Sequence, residues 1–274
     1  MDQSMDQLVK HTTGMGQLKM FSKDWYNEYF RLAANSPTHS HFCEQVYGQD
    51  LCQHGMMDME ELGFLISILK PNEKILEIGC SNGHITEYLQ KHTTCNILGI
   101  DYSDVAITQA RNRTRDKRAV LDFQCVDLIE DDIPGEDYNT ILAIDSIYFM
   151  GDYKTTLAKL NTKLGNGGHI IIAAFQVKEE NDPDSILLSE HTDMAKALQT
   201  LSFSYTQHEF TTNVRNHWIK NYQFSQALES KFISEGNKFL YQARMAENGW
   251  FKAHAEQETL VRFMYIVDYN PDVA

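Results

Sequence analysis

Paired cysteines are missing from this sequence. Its five, Cys43, Cys52, Cys80, Cys95 and Cys125, are odd in number and scattered. They describe no disulfide framework, so a reducing, cytoplasmic setting is expected. Metal-ligand spacing is missing as well: His39, His41, Cys43, Cys52 and His54 form no closed four-ligand pattern, and no metal is expected. No apolar run is long enough to cross a bilayer. Residues 1–20 are polar, lack the apolar stretch of a signal peptide and are expected to be flexible. Positive charge is scarce, with 24 Lys and Arg against 38 Asp and Glu and a net charge of −14. Phosphate backbones and anionic lipid need clustered Lys and Arg, so neither nucleic acid nor membrane is expected as a partner. The densest basic stretch, Arg111 to Arg118, is interrupted by Asp116 and reads as a solvated helix face. No repeat or low-complexity linker divides the chain.

What is present is material for a core. The 274 residues are 42% hydrophobic, enough for one large domain over residues 21–274. Asp24 to Ala34 reads as an aromatic-rich helix, followed by a loop at Asn35-Ser36-Pro37. Apolar residues from Met56 to Leu69 recur at helical spacing until Pro71-Asn72. These make a helical cap over residues 21–70. From residue 71 to 175 short apolar runs alternate with helical segments, the pattern of βαβ units and a mainly parallel sheet. Strands are expected at Lys74–Ile78, Asn96–Ile100, Leu121–Val126, Asn139–Ile144 and His169–Phe175. Helices are expected at Gly83–His92, Asp104–Arg115 and Tyr153–Leu164. Residues 176–274 should add a helix at Asp193–Leu201, a strand at Ser204–Thr212, one long helical stretch at Asn213–Glu247 and a strand at Leu260–Asp268.

The sharpest signal is Glu77-Ile78-Gly79-Cys80-Ser81-Asn82-Gly83, where a buried strand enters a glycine-containing turn and then a helix. Glycine allows the tight turn, and the new helix offers free N–H groups to an anionic ligand group. A dinucleotide site needs glycine at the second position of its pattern; that position is Ser81, whose side chain obstructs a pyrophosphate. A nucleoside without a diphosphate fits better. Asp101 ends the second strand, where an acid accepts the ribose hydroxyls. Asp127 follows the third, where an acid accepts from an exocyclic amine. Cys80 reads as a small packed residue.

In this order the segments resemble the successive motifs of class I S-adenosylmethionine-dependent methyltransferases. Gly79 to Gly83 match the glycine loop, Asp101 the ribose acid and Asp127 the adenine acid. Tyr138 to Asp145 match the fourth strand, and Gly167-Gly168-His169-Ile170 the turn into the fifth. The resemblance spans about Leu51 to Phe175. It implies a Rossmann-like α/β fold with a seven-stranded, mostly parallel sheet, helices on both faces, and N- and C-terminal helical additions forming a lid. It also implies S-adenosylmethionine as cofactor, held by Glu77, Gly79, Cys80, Ser81, Gly83, Asp101, Tyr102, Asp127, Leu128 and Asp145. Gln53 and His54 would border the methionine end, with Tyr26 above.

The methyl acceptor is expected under a roof of N- and C-terminal segments, lined by Tyr29, Tyr148, Trp218, Tyr222 and Glu209. Phe30 and Phe149 are read as core. A small molecule with a nitrogen, oxygen or carbon nucleophile is the expected acceptor, attacking in line with the carbon–sulfur bond. Asp145 is the first choice for a base or for orienting the acceptor, with Tyr148 beside it and Glu209 and Glu247 behind. An aminopropyltransferase is disfavoured, because the glycine loop holds no acid. A protein side chain as acceptor, a non-catalytic cofactor-binding scaffold and a homo-oligomer all remain open.

Overall fold

The structure, a computed structural model, describes residues 18–273. Most of the expected flexible segment, residues 1–17, lies outside the described residues. Helices α1 (Lys23–Ala33), α2 (Pro37–Tyr47) and α3 (Met59–Ile68) precede strand β1 (Lys74–Ile78). Alternating elements follow: α4 (His84–Thr93), β2 (Asn96–Asp101), α5 (Asp104–Arg113), β3 (Leu121–Cys125), β4 (Tyr138–Ile144), α6 (Tyr153–Asn161) and β5 (Leu164–Val177). The remainder is α7 (Asp193–Thr200), β6 (Tyr205–Glu209), α8 (Thr211–Ala227), α9 (Glu229–Ser234), α10 (Lys238–Glu256) and β7 (Leu260–Asp268).

The seven strands lie in the order β3-β2-β1-β4-β5-β7-β6. β1 to β5 run parallel, and β7 is antiparallel to both β5 and β6. The order reverses beside β1, so the crevice outside the carboxyl ends of β1 and β4 is where such a sheet takes a ligand. Alternation along the strands splits the core. Ile75, Ile97, Phe123, Leu142 and Met264 pack under α3, α4 and α5, and Leu76, Ile78, Ile141, Ala143 and Ile172 face α6 and α7. A third apolar cluster joins α1, α2, α9 and α10 into the cap. Side-chain oxygens close the first turns of several helices: Ser22, Ser36, Asp58, Ser103, Asp152 and Thr192 each accept a backbone N–H.

The C-terminal third corrects the sequence expectation. β6 stops at Glu209, because Phe210 already begins α8. The stretch expected as one long helical run is three helices, broken at Leu228 and at Gly236, whose φ is +78°. β5 starts five residues early at Leu164, with a register irregularity opposite Tyr138 and Thr140. Helix α2 was unanticipated. Ser36 caps it and Pro37 takes its first turn, but its buried face includes Thr38 and His39. Those polar side chains hide the apolar period.

Candidate active site

A cavity of about 280 Å³ opens at the carboxyl ends of β1, β2 and β4. Its floor is the bend after β1. Gly79 has φ +70°, and a Cβ there would meet Ser146 Cβ at 2.5 Å, so this position admits only glycine. Ser81 also has a positive φ, +54°. Its N–H donates to Asp101 Oδ2 at 2.9 Å, and the Ser103 N–H donates to Asp101 Oδ1 at 2.8 Å. The acid that ends β2 is therefore fixed by the loops on either side of it. Each oxygen keeps acceptor capacity for a ligand. Burial raises Asp101 to about 6.

Several polar atoms in the cavity wall have no hydrogen-bond partner of good geometry among the described residues. They are Glu77 Oε2, Asn82 Nδ2 and His54 Nε2, all buried. Native folds rarely strand such atoms, so their clustering marks a place for a polar ligand. Burial raises Glu77 to about 7. It lowers His54 to about 3, with Arg244 adding to the effect, so the imidazole is neutral. Phe21, Tyr26 and Phe30 from the α1 region roof the cavity, and the Tyr102 hydroxyl ties that roof down by donating to the Phe21 carbonyl at 3.0 Å.

A recess of about 50 Å³ shares Phe21, Tyr26, His54, Gly55, Asp145 and Phe149 with this cavity and lies beside it. Its further walls are Met56, Tyr148, Phe175, Trp218, Glu247 and Phe251. Trp218 and Phe251 stack at 4.1 Å with their planes 5° apart. Glu247 Oε2 lies 3.6 Å from His54 Nε2, too far for a hydrogen bond. Burial pushes Glu247 up to about 8.

Between cavity and core sits an ion network. Arg262, fully buried on β7, donates Nε to both oxygens of Glu61 at 2.9 and 3.0 Å. Its Nη1 and Nη2 reach Asp145 Oδ1 and Oδ2 at 2.5 and 3.2 Å. The Met56 N–H donates to Asp145 Oδ2 at 2.7 Å. The network thus pins the Gly55-Met56 turn to the end of β4.

Comparison with known proteins fixes the class. A family model described as a methyltransferase domain matches residues 76–170, about a third of the chain. Cyclopropane synthase MmaA2 from Mycobacterium tuberculosis superposes with a TM-score of 0.68 over 91% of this chain and 99% of its own, at 11% identity. Residues 76–170 are thus a methyltransferase domain, and the described fold is that of the class I S-adenosylmethionine-dependent enzymes. Among curated relatives, the eEF1A lysine and N-terminal methyltransferase of Bos taurus is 27% identical over 116 residues, covering 41% of this chain and 16% of that protein. The phosphoethanolamine N-methyltransferase of Triticum aestivum is 23% identical over 132 residues, covering 48% of this chain and 26% of that protein. The chain thus spans under a third of either relative's length.

The methyltransferase fold brings Tyr26, Gln53, His54, Glu77, Gly79, Cys80, Ser81, Asp101, Tyr102, Asp127, Leu128 and Asp145 to the wall of one cavity. These residues fit the class's cofactor, S-adenosylmethionine. Three buried polar atoms await a partner, and the Ser81 amide that could cradle a pyrophosphate is given to Asp101. Gly83 stands behind the wall, capping α4 against the Phe123 ring.

The expectations for the acceptor side need correction. Glu209 is exposed at the end of edge strand β6 and lines neither space. Tyr222 also lies outside both; its hydroxyl accepts from Gln226, and the Lys252 ammonium sits over its ring. Tyr29 is buried behind His54, with its hydroxyl accepting from Arg244 at 2.8 Å. Trp218 and Tyr148 do line the recess, but the Tyr148 hydroxyl accepts the Phe175 N–H at 2.9 Å. Asp145 lies between the spaces with both oxygens engaged by Arg262, which suits it to holding the wall and not to taking a proton. Phe30 and Phe149, read as core, line the cavity. Cys80 is held as a neutral thiol, well above its ordinary value, by burial. Sequence reasoning missed Arg262 and Glu61. The one available signal was an arginine in the middle of an otherwise apolar strand, which demands a buried acid.

Proposed function

We propose that this chain transfers the methyl group of S-adenosylmethionine to a small molecule whose reacting atom enters the recess. The shared wall of the recess and the larger cavity carries this reading, since methyl transfer needs the acceptor beside the cofactor, in line with the carbon–sulfur bond and shielded from water. The bound sulfonium supplies an already activated methyl carbon. Asp101 would accept the ribose hydroxyls and Asp127 the adenine amine. Glu77 would take the ammonium of the amino-acid tail, with Gln53 and His54 at the same end and Tyr26 above. Cys80, Ser81, Tyr102 and Leu128 would shape the wall, and Asp145 would hold the passage between the two spaces. The cap, residues 21–70, the core, 71–175, and the C-terminal elements, 176–274, would act as one domain.

A small acceptor is favoured by the recess itself. Its lining is mostly aromatic, and its volume of about 50 Å³ leaves little room for a polypeptide backbone. Methylation of a protein side chain is the second reading, supported by the likeness to the eEF1A lysine and N-terminal methyltransferase. The −14 net charge continues to disfavour nucleic acid. The described cysteines, none of them in a disulfide, suit a cytoplasmic setting. Among the described residues no helix is long and apolar enough to cross a membrane.

The test is to incubate the chain with methyl-labelled cofactor and a cell extract, then separate small molecules from protein. Enzyme-dependent label among the small molecules supports the proposal. Label confined to protein supports the second reading, and label in neither fraction contradicts both.

A further inference from the structure

The recess holds one carboxylate that nothing in the fold consumes. Glu247, on α10, lines a space whose other walls include Tyr26, Tyr148, Phe175, Trp218 and Phe251, with Asp145 at the side shared with the larger cavity. Glu247 itself is only 7% exposed. Among the described residues none of its oxygens lies in a hydrogen bond; His54 Nε2, unpartnered as is Trp218 Nε1 in the same lining, stands 3.6 Å from it. A buried acid among rings is costly unless it meets a cation or a proton donor. The other charges around it make no ion pair with it, and Arg244 acts on it only through space, lowering it against the effect of burial. Asp145 is already matched by Arg262, which is shared with Glu61. Arg244, one turn earlier on α10, points away: its guanidinium lies on the Phe42 ring and bonds Tyr29, His39 and the Gln53 carbonyl, and it lines neither space.

A carboxylate among aromatic side chains is an arrangement that selects an organic cation. The acid supplies the charge, and the rings stabilise an ammonium bearing methyl groups, which cannot form as many hydrogen bonds. We propose that the acceptor is a small aliphatic amine, bound as an ammonium against Glu247. This inference rests on the methyltransferase reading and adds the class of acceptor to it.

The step balances without further reagents. Glu247 accepts a proton from the ammonium and frees the nitrogen lone pair. The nitrogen–carbon bond forms as the carbon–sulfur bond breaks, and the bonding pair returns to sulfur as a thioether. The methylated nitrogen is a cation again, and the rings hold it until release. The proton on Glu247 leaves past His54 to the solvent-connected cavity.

The experiment titrates the chain, saturated with S-adenosylhomocysteine, with two matched pairs in a calorimeter. Choline is compared with its uncharged carbon isostere 3,3-dimethylbutan-1-ol, and ethylammonium with 1-propanol. The cation of at least one pair should bind about tenfold more tightly or better. Glu247→Gln should lose that preference while keeping its affinity for S-adenosylhomocysteine. Equal or weaker binding of both cations, or no binding of any of the four, overturns the proposal; the wild-type comparison is decisive by itself if the variant does not fold. Failure of S-adenosylhomocysteine to bind overturns the underlying reading as well, whereas its binding without a cation preference overturns only this inference.

Discussion

Asp101 both receives and organises. Its two oxygens hold the amides of Ser81 and Ser103, so the bend after β1 and the start of α5 are shaped around the acid that would take the ribose. Asp101→Asn keeps the size, removes the charge and puts a donating amide nitrogen opposite one of the two backbone N–H groups. Hydrogen bonds to charged groups are worth about 1.5–3 kcal/mol, so equilibrium dialysis should show S-adenosylhomocysteine binding weakened by about that amount. Undiminished affinity would remove Asp101 from the site. This residue was legible in sequence, as were Gly79 and Asp127, because each belongs to a motif whose order along the chain mirrors its order in space. Arg262 was not. It joins Glu61, 201 positions away, and Asp145, 117 positions away, and no local pattern encodes such a pairing. Arg262→Met would leave two buried carboxylates without their cation, a change that typically costs about 3–5 kcal/mol. Urea denaturation should register a loss of that size. A loss below about 1 kcal/mol, the scale of an exposed pair, would mean the network contributes little.

The bend from Gly79 to Gly83 is the element on which the cavity depends. Gly79→Ala combines a left-handed backbone with a Cβ at 2.5 Å from Ser146, so either the bend or the turn after β4 must shift. Near-normal folding by circular dichroism is expected, together with loss of S-adenosylhomocysteine binding; retained binding would show that the bend has room to move. Elements in the βαβ part were readable because β1, β4 and much of β5 are buried on both faces, α4 starts at Gly83, and α5 and α6 start at the side-chain caps Ser103 and Asp152. The cap and the C-terminal helices were not. Helix α2 carries buried His39 and Thr38, and the α8–α10 stretch turns on Leu228 and Gly236 with polar Asn221, Ser225 and Asn248 inside. In both places polar side chains satisfy one another in the interior, so the apolar period that identifies a helix fades. Tyr222 and Glu209 were placed at the acceptor for lack of that geometry. Glu247, ranked behind Asp145, lines the recess with it and, unlike Asp145, has no ion pair with an arginine among the described residues.

At the scale of the whole molecule, buried acids and buried histidines set opposite pH dependences. Burial raises Asp101 to about 6, Glu77 to about 7 and Glu247 to about 8, so the folded chain binds protons that the unfolded chain has lost. Their contribution is fully present below the ordinary carboxylate range and is lost as pH rises through these values. His54 and His84, lowered to about 3 and about 4 with burial the leading cause, contribute above the ordinary histidine value and lose that contribution as pH falls. Above pH 6.5, the ordinary histidine value, the acids alone are titrating. The ligand-free Tm should therefore fall from there to about pH 8, and fall less in Glu247→Gln. A Tm that is flat or rising over that interval would place these carboxylates in contact with water. The acidic cavity also matches its ligand: S-adenosylmethionine carries a sulfonium and an ammonium against a single carboxylate. The most direct measurement is a calorimetric titration of the chain with S-adenosylhomocysteine, beside a dinucleotide such as NAD. The account predicts one S-adenosylhomocysteine bound per chain and no heat from the dinucleotide. Binding of the dinucleotide in its place, or of neither, would contradict it.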